Sequence, residues 1–129
     1  MPDDEATPNP MHPQLSLMLE LQDLRSQLRE LESEDRAEEI EAEHFNIDPK
    51  QAADDLRNKI EELEEDLDPP VRRRYRRILK SMDRAVVPVI NGVCYGCFVS
   101  IPTARARDKD PNEELQSCEN CGRFIYIIR

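Results

Sequence analysis

Four cysteines, Cys94, Cys97, Cys118 and Cys121, are the only ones in this 129-residue chain, and they fall as two Cys-x2-Cys pairs separated by 20 residues. Two intervening residues let both sulfurs of a pair face one ion from a tight turn. Four thiolates then complete a tetrahedron about 2.3 Å from the metal, the geometry of a structural Zn2+ site. Redox Cys-x-x-Cys pairs, an iron–sulfur centre and two disulfides use the same residue type. Two pairs on one short stretch favour zinc over these rivals. Gly96 and Gly122 sit where a metal knuckle needs freedom in φ, so that backbone N–H groups can approach sulfur.

A site with four sulfur ligands is closed. It leaves no position for water or substrate, so its metal is structural, not catalytic. The two histidines, His12 and His44, have no companion suggesting a nucleophile or a general base. Both are expected to be solvated bystanders, and no enzymatic activity is expected.

The elements that must hold this site are legible around it. Residues 1–13 are acidic and proline-rich, with no basic or apolar leader pattern, and are expected to be a disordered tail. Residues 14–85 predict a coiled-coil helical hairpin. Leu17, Leu21, Leu24, Leu28 and Leu31 recur at heptad spacing on a first helix. A break is expected near residues 45–48, with Asp48 as N-cap, Pro49 at the first helical position and Gln51 completing a capping-box-like pattern. Ile47 is placed for a staple onto Ala52. A second helix carries Ala52, Leu56, Ile60, Leu63 and Leu67.

Pro69 and Pro70 predict a break or kink near 68–70, because a helix interior does not accommodate them. A third helix to about Ala85 carries Val71, Tyr75, Ile78 and Met82. Folding the chain back near 45–48 pairs Leu31 with Leu63, Leu28 with Leu67, Leu24 with Val71, Leu21 with Tyr75 and Leu17 with Ile78. The same register brings Arg25 and Arg29 towards Asp66 and Asp68. Residues 86–129 change character, with β-branched runs and turns around the cysteines, and predict a small zinc ribbon. A segment this short needs a metal to fold. The fold class is thus mainly α with a small β unit.

Charge divides along the chain. Residues 1–68 hold 22 acids and 6 bases, and residues 69–129 hold 6 acids and 12 bases. Arg73, Arg77, Lys80 and Arg84 fall at helical spacing on one stripe. Arg105, Arg107 and Arg123 add charge to the ribbon. The stripe is either a phosphate-tracking surface or a solvated face balancing the acidic helices. Tyr95, Phe98, Phe124 and Tyr126 are expected to fill the ribbon core rather than to stack on bases. No apolar run approaches the about 20 residues of a membrane span, and the chain is read as cytoplasmic.

The stretch from Asp68 to Pro102, with the ending Cys118 to Tyr126, closely resembles the bacterial C4-type zinc ribbon proteins that carry an amino-terminal coiled-coil hairpin. The carriers are Pro69, Pro70 and Tyr75, the run Ala85–Cys97, Ile101-Pro102, and Cys118, Cys121, Gly122, Arg123, Ile125 and Tyr126. The resemblance implies one Zn2+ on the four cysteines and no catalysis. It also implies an adaptor for nucleic acid or a protein partner around transcription, secretion or motility. The hairpin here looks shorter than is usual in that family. An alternative is a regulator that enters the RNA polymerase secondary channel through an acidic tip of Glu41, Glu43 and Asp48. Another is a structural module that forms a homodimer through its leucine seam.

Overall fold

The computed structural model describes residues 11–33, 48–103 and 110–128. Three helices, α1 (Pro13–Glu32), α2 (Pro49–Glu65) and α3 (Pro69–Leu79), precede four strands, β1 (Val86–Ile90), β2 (Val93–Cys94), β3 (Gln116–Ser117) and β4 (Phe124–Ile128). The chain is therefore mainly helical with a small β unit. The expected break near 45–48 and most of the expected tail, with Glu41, Glu43, His44, Phe45, Ile47, Arg105 and Arg107, lie outside the described residues.

Each helix starts on a proline, whose fixed φ suits the first turn. Asp48 caps α2 through its side chain, which accepts from the Lys50 N–H at 3.0 Å. Gln51 does not close a capping box; its amide donates to Asp55 one turn on. His12, expected to be a bystander, is the N-cap of α1. Its Nδ1 accepts from Gln14 N at 3.0 Å, and its own N–H donates to the Asn112 carbonyl at 2.8 Å. Asp68 precedes α3 without a side-chain cap bond, and Pro69 and Pro70 at the first two helical positions have no N–H to offer.

α1 packs along α2, and Glu32 meets Arg57 while Arg25 meets Glu64. α3 does not run straight on from α2. Arg76 reaches Glu64, 12 residues earlier, at 3.0 Å. A continuous helix would separate those two positions by about 18 Å. The chain turns sharply at residues 66–68, and Arg72 closes the turn by donating to the carbonyls of Glu64, Glu65 and Leu67. With α3 turned back, Leu17, Leu21, Leu24, Val71, Tyr75 and Ile78 share one core. The expected antiparallel ladder does not form, because Asp68 meets Gln14 and Tyr75 meets Arg25, so that α3 runs in the same direction as α1. α3 also ends at Leu79, six residues before the predicted Ala85.

The sheet order is β2-β1-β4-β3. β1 and β4 are parallel, with Val86 opposite Phe124 and Ile90 opposite Ile128, while β2 and β3 pair antiparallel on the two edges. Asn91 and Gly92, at φ 53 and 77, make the two-residue turn between β1 and β2. Side chains alternate across the sheet. Val86 and Phe124 face the helices and join Leu15, Met18, Leu21, Ile60, Leu67 and Tyr75. Val87, Val89, Ile125 and Ile127 face the other way, with Ile101, Cys94 and Cys118. Tyr75 and Phe124 are almost wholly buried, and burying each such ring contributes about 1.5–3 kcal/mol.

Three side-chain amides bind these layers together. Gln22 on α1 donates to the Val86 carbonyl at 3.0 Å and accepts from its N–H at 3.2 Å. Asn112 does the same to Ile127, at 2.9 and 2.7 Å. Gln14 accepts from Asp68 N at 2.8 Å and donates to the Asp66 carbonyl at 3.5 Å. Each satisfies main-chain groups that no neighbouring strand or helix reaches.

Candidate metal centre

The two cysteine pairs converge at one end of the sheet. Their four Sγ atoms all lie within 4.8 Å of one another. Cys94 and Cys121 approach to 3.9 Å, and Cys97 and Cys118 to 3.6 Å. A tetrahedral ion with bonds of about 2.3 Å has sulfur–sulfur edges of about 3.8 Å. The cluster therefore fits one metal ion. No disulfide joins these thiols, whose separations are well beyond the bonded length of about 2.05 Å.

The two turns that present the sulfurs are built alike. In the first, Cys94 N donates to Val99 O at 3.0 Å and Phe98 N to Cys94 O at 2.6 Å; in the second, Cys118 N donates to Arg123 O at 2.9 Å and Gly122 N to Cys118 O at 2.8 Å. Backbone N–H groups of Gly96 and Cys97 point at the Cys94 sulfur, and that of Val99 at the Cys97 sulfur. Burial pushes the Cys94 thiol up to about 12, against those backbone donors. The Asn120 side chain, in the second turn, reaches the Cys97 sulfur and is the main cause drawing that thiol down to about 7. Asn120 escaped the sequence reading. Its signal was a side-chain donor at an intervening position of a Cys-x2-Cys pair.

In each turn the residue after the second cysteine takes positive φ. Gly122 does so at 78° and Phe98 at 60°. Glycine pays no steric penalty there, whereas an L-residue with a side chain loses about 1–2 kcal/mol. Gly96, expected to supply φ freedom, supplies room instead. A Cβ there would lie 3.0 Å from Val87 Cγ2 and 3.1 Å from the Arg123 guanidinium carbon.

The basic residues do not form the expected stripe. Only Arg73 and Arg77 lie on α3; Lys80 and Arg84 follow its end. All four are exposed and form no ion pair among the described residues. Arg123 is half-buried and donates to the Gly96 carbonyl at 2.9 Å, bracing one knuckle against the other. Arg74 lies over the Phe124 ring at 4.7 Å and donates to Ser117 and to the Gly122 carbonyl. Arg72, Arg74 and Arg76 thus hold the fold. Arg25 pairs with Glu64 and with the Tyr75 hydroxyl, not with Asp66 or Asp68 as the register predicted.

The aromatic residues divide. Phe124 is buried and Tyr126 packs on the helical core. Tyr95 and Phe98, expected in the core, are exposed, at 46% and 70%. No helix among the described residues is long and apolar enough to cross a membrane.

No protein-family model and no curated protein matches this sequence. Among solved structures, the CT398 protein from Chlamydia trachomatis is 29% identical over 74% of this chain, with a TM-score of 0.52. The HP0958 protein from Helicobacter pylori CCUG 17874 is 24% identical over 72% of this chain, also with a TM-score of 0.52, a likeness of fold alone. This chain spans only 40% and 39% of those two proteins. It is thus similar in fold to parts of two longer bacterial proteins and shares with neither a level of identity that fixes its function.

Proposed function

We propose that the chain is a non-enzymatic adaptor of the C4 zinc ribbon kind, cytoplasmic, with a coiled-coil hairpin of α1 and α2 carrying a ribbon pinned by one Zn2+. The observation that carries this reading is the four-sulfur cluster, whose separations of 3.6 and 3.9 Å match the edges of a tetrahedral thiolate site. An all-thiolate donor set selects zinc or iron over hard cations. Cys94, Cys97, Cys118 and Cys121 would hold the ion, and Gly96, Val99 and Asn120 would orient their sulfurs. When bound, the metal supplies cross-linking. A closed four-sulfur shell gives it no site for substrate, which supports an adaptor over an enzyme. Elemental analysis of protein purified without added metal should give one zinc per chain, and none after Cys118→Ser and Cys121→Ser together. Iron, or no metal, in the unaltered protein would overturn this reading.

The partner is protein first. Three of the arginines that gave the second half its basic balance are engaged within the fold. The exposed remainder on α3 is Arg73 and Arg77. A nucleic-acid contact through that pair predicts affinity that falls steeply with salt, with a slope reduced by about 2 in Arg73→Glu/Arg77→Glu. Fluorescence anisotropy with a labelled oligonucleotide at low salt checks this; no binding there would leave protein as the only partner class.

A further inference from the structure

The two metal knuckles provide an internal comparison. They share the same pair of backbone hydrogen bonds and the same positive φ at the residue after the second cysteine. The second knuckle fills that position with Gly122. The first fills it with Phe98, whose ring is 70% exposed and so gains little from the protein's own core. The backbone there favours glycine, and the side chain contributes little inward. A ring held against its backbone preference and turned outward points to a contact outside the chain.

The surroundings say what kind. Tyr95 packs beside Phe98, with ring centroids 5.4 Å apart, and Val99 extends the patch at 42% exposure. Next to it opens a cleft of about 330 Å³ lined by Val99, Ile101, Pro102 and Cys118 together with the polar Ser100, Glu119 and Asn120. A mixed lining of this size suits one anchor side chain. The exposed parts of Tyr95, Phe98 and Val99 amount to only about 300 Å², given the 150–250 Å² an aromatic side chain presents. A stable dimer needs about 800 Å² on each partner, so a second copy does not fit. Nor does a polyanion: residues 86–129 hold 5 acids and 5 bases, and Arg123 is spent on the Gly96 carbonyl.

We propose that the first knuckle is a docking site for a short apolar segment of a different protein, which seats one aliphatic or aromatic side chain in the cleft beside Phe98. This rests on the zinc-ribbon adaptor reading and locates its protein-binding surface. The full chain, with its zinc content verified beforehand, would be used to select random 12-residue peptides by phage display, with Phe98→Gly as counter-target. A failure of the zinc reading shows in the metal analysis, before any peptide is tested. Selected peptides should share a central aliphatic or aromatic residue. They should bind Phe98→Gly at least tenfold more weakly by anisotropy, and Arg73→Glu/Arg77→Glu unchanged. Phe98→Gly should retain its zinc and melt no lower than the unaltered protein. The proposal is overturned if no peptide is enriched, if both proteins bind the peptides equally, or if Phe98→Gly melts lower, which would make the ring structural. It is overturned equally if Phe98→Gly abolishes binding of an oligothymidine probe, or dissolves a dimer seen by sedimentation.

Discussion

Stripping the metal with a chelator will unfold the four-stranded sheet while much of the helicity of α1 and α2 persists. The cysteine-bearing side of the sheet has a buried core of seven residues, and two of them are cysteines. A unit of this size cannot fold on apolar burial alone. Metal binding to such sites supplies about 10–16 kcal/mol of apparent free energy at neutral pH, as much as the five aliphatic residues of this core together. The helices keep Leu15, Met18, Leu21, Ile60 and Leu67 against one another, although Val86 and Phe124 of the sheet share that core. Hydrogen exchange should therefore show β1 and β4 losing protection on chelation and regaining it when zinc returns. Equal protection with and without metal would refute the claim.

The pH dependence of the complex follows from its thiols. Burial raises the Cys94 thiol to about 12. To hold an ion the same thiol must be deprotonated, so the complex should weaken as pH falls and the proton competes with the ion. Acid should release zinc, and zinc uptake at neutral pH should release the Cys94 proton.

The second large effect is at Glu64. Its carboxylate is 8% exposed and is held by Arg25 from α1 and Arg76 from α3, at 2.5 and 3.0 Å. Arg25 also donates to the Tyr75 hydroxyl at 3.0 Å. Burial raises the Tyr75 hydroxyl pKa, while Arg25 pulls it down, so the phenol stays protonated at neutral pH. An exposed ion pair contributes less than about 1 kcal/mol. A buried one broken from one side costs about 3–5 kcal/mol. Both arginines retain some access to water, so Glu64→Ala should lose about 3 kcal/mol, the lower end of that range, or on the order of 10 °C in Tm. Glu64→Met, of similar volume, should fall between, because it refills the space without anchoring either arginine. Urea unfolding at an unchanged m-value is the measurement. A loss below about 1 kcal/mol would place Glu64 with ordinary surface pairs.

What the sequence disclosed and what it hid follow from range. The cysteine spacing, the Asp48-Pro49 start of α2, the Pro69 start of α3 and the change to strand at Val86 are local signals. Each acts within a few residues, and each appears in the structure where the sequence puts it. The sharp turn at residues 66–68 was signalled, but its direction was not, because the direction is set by Arg72 and Arg76 folding back onto Glu64. The fold-back register brought Arg25 towards Asp66 and Asp68 instead of Glu64, since helical periodicity treats a charge such as Glu64 as outward-facing. α1 is buried on more than the leucine seam: Leu15 and Met18 lie outside the predicted positions, because α1 touches β1 as well as α2. The parallel pairing of β1 with β4 joins segments almost forty residues apart, and no local pattern encodes it. Asn91-Gly92, like Asn120, was a local signal left unread, a hairpin turn in plain sight.

The grip of Gln22 on both polar groups of Val86 has a mechanical outcome. It welds α1 to the sheet at mid-helix, so the ten residues beyond Gln22 behave as a stiff pointer of about 15 Å. A tilt of about 5° at the sheet would swing its end by roughly 1.3 Å, the scale on which helices shift at interfaces. A displacement of the sheet would thereby reach the end of α1 without any helix having to bend.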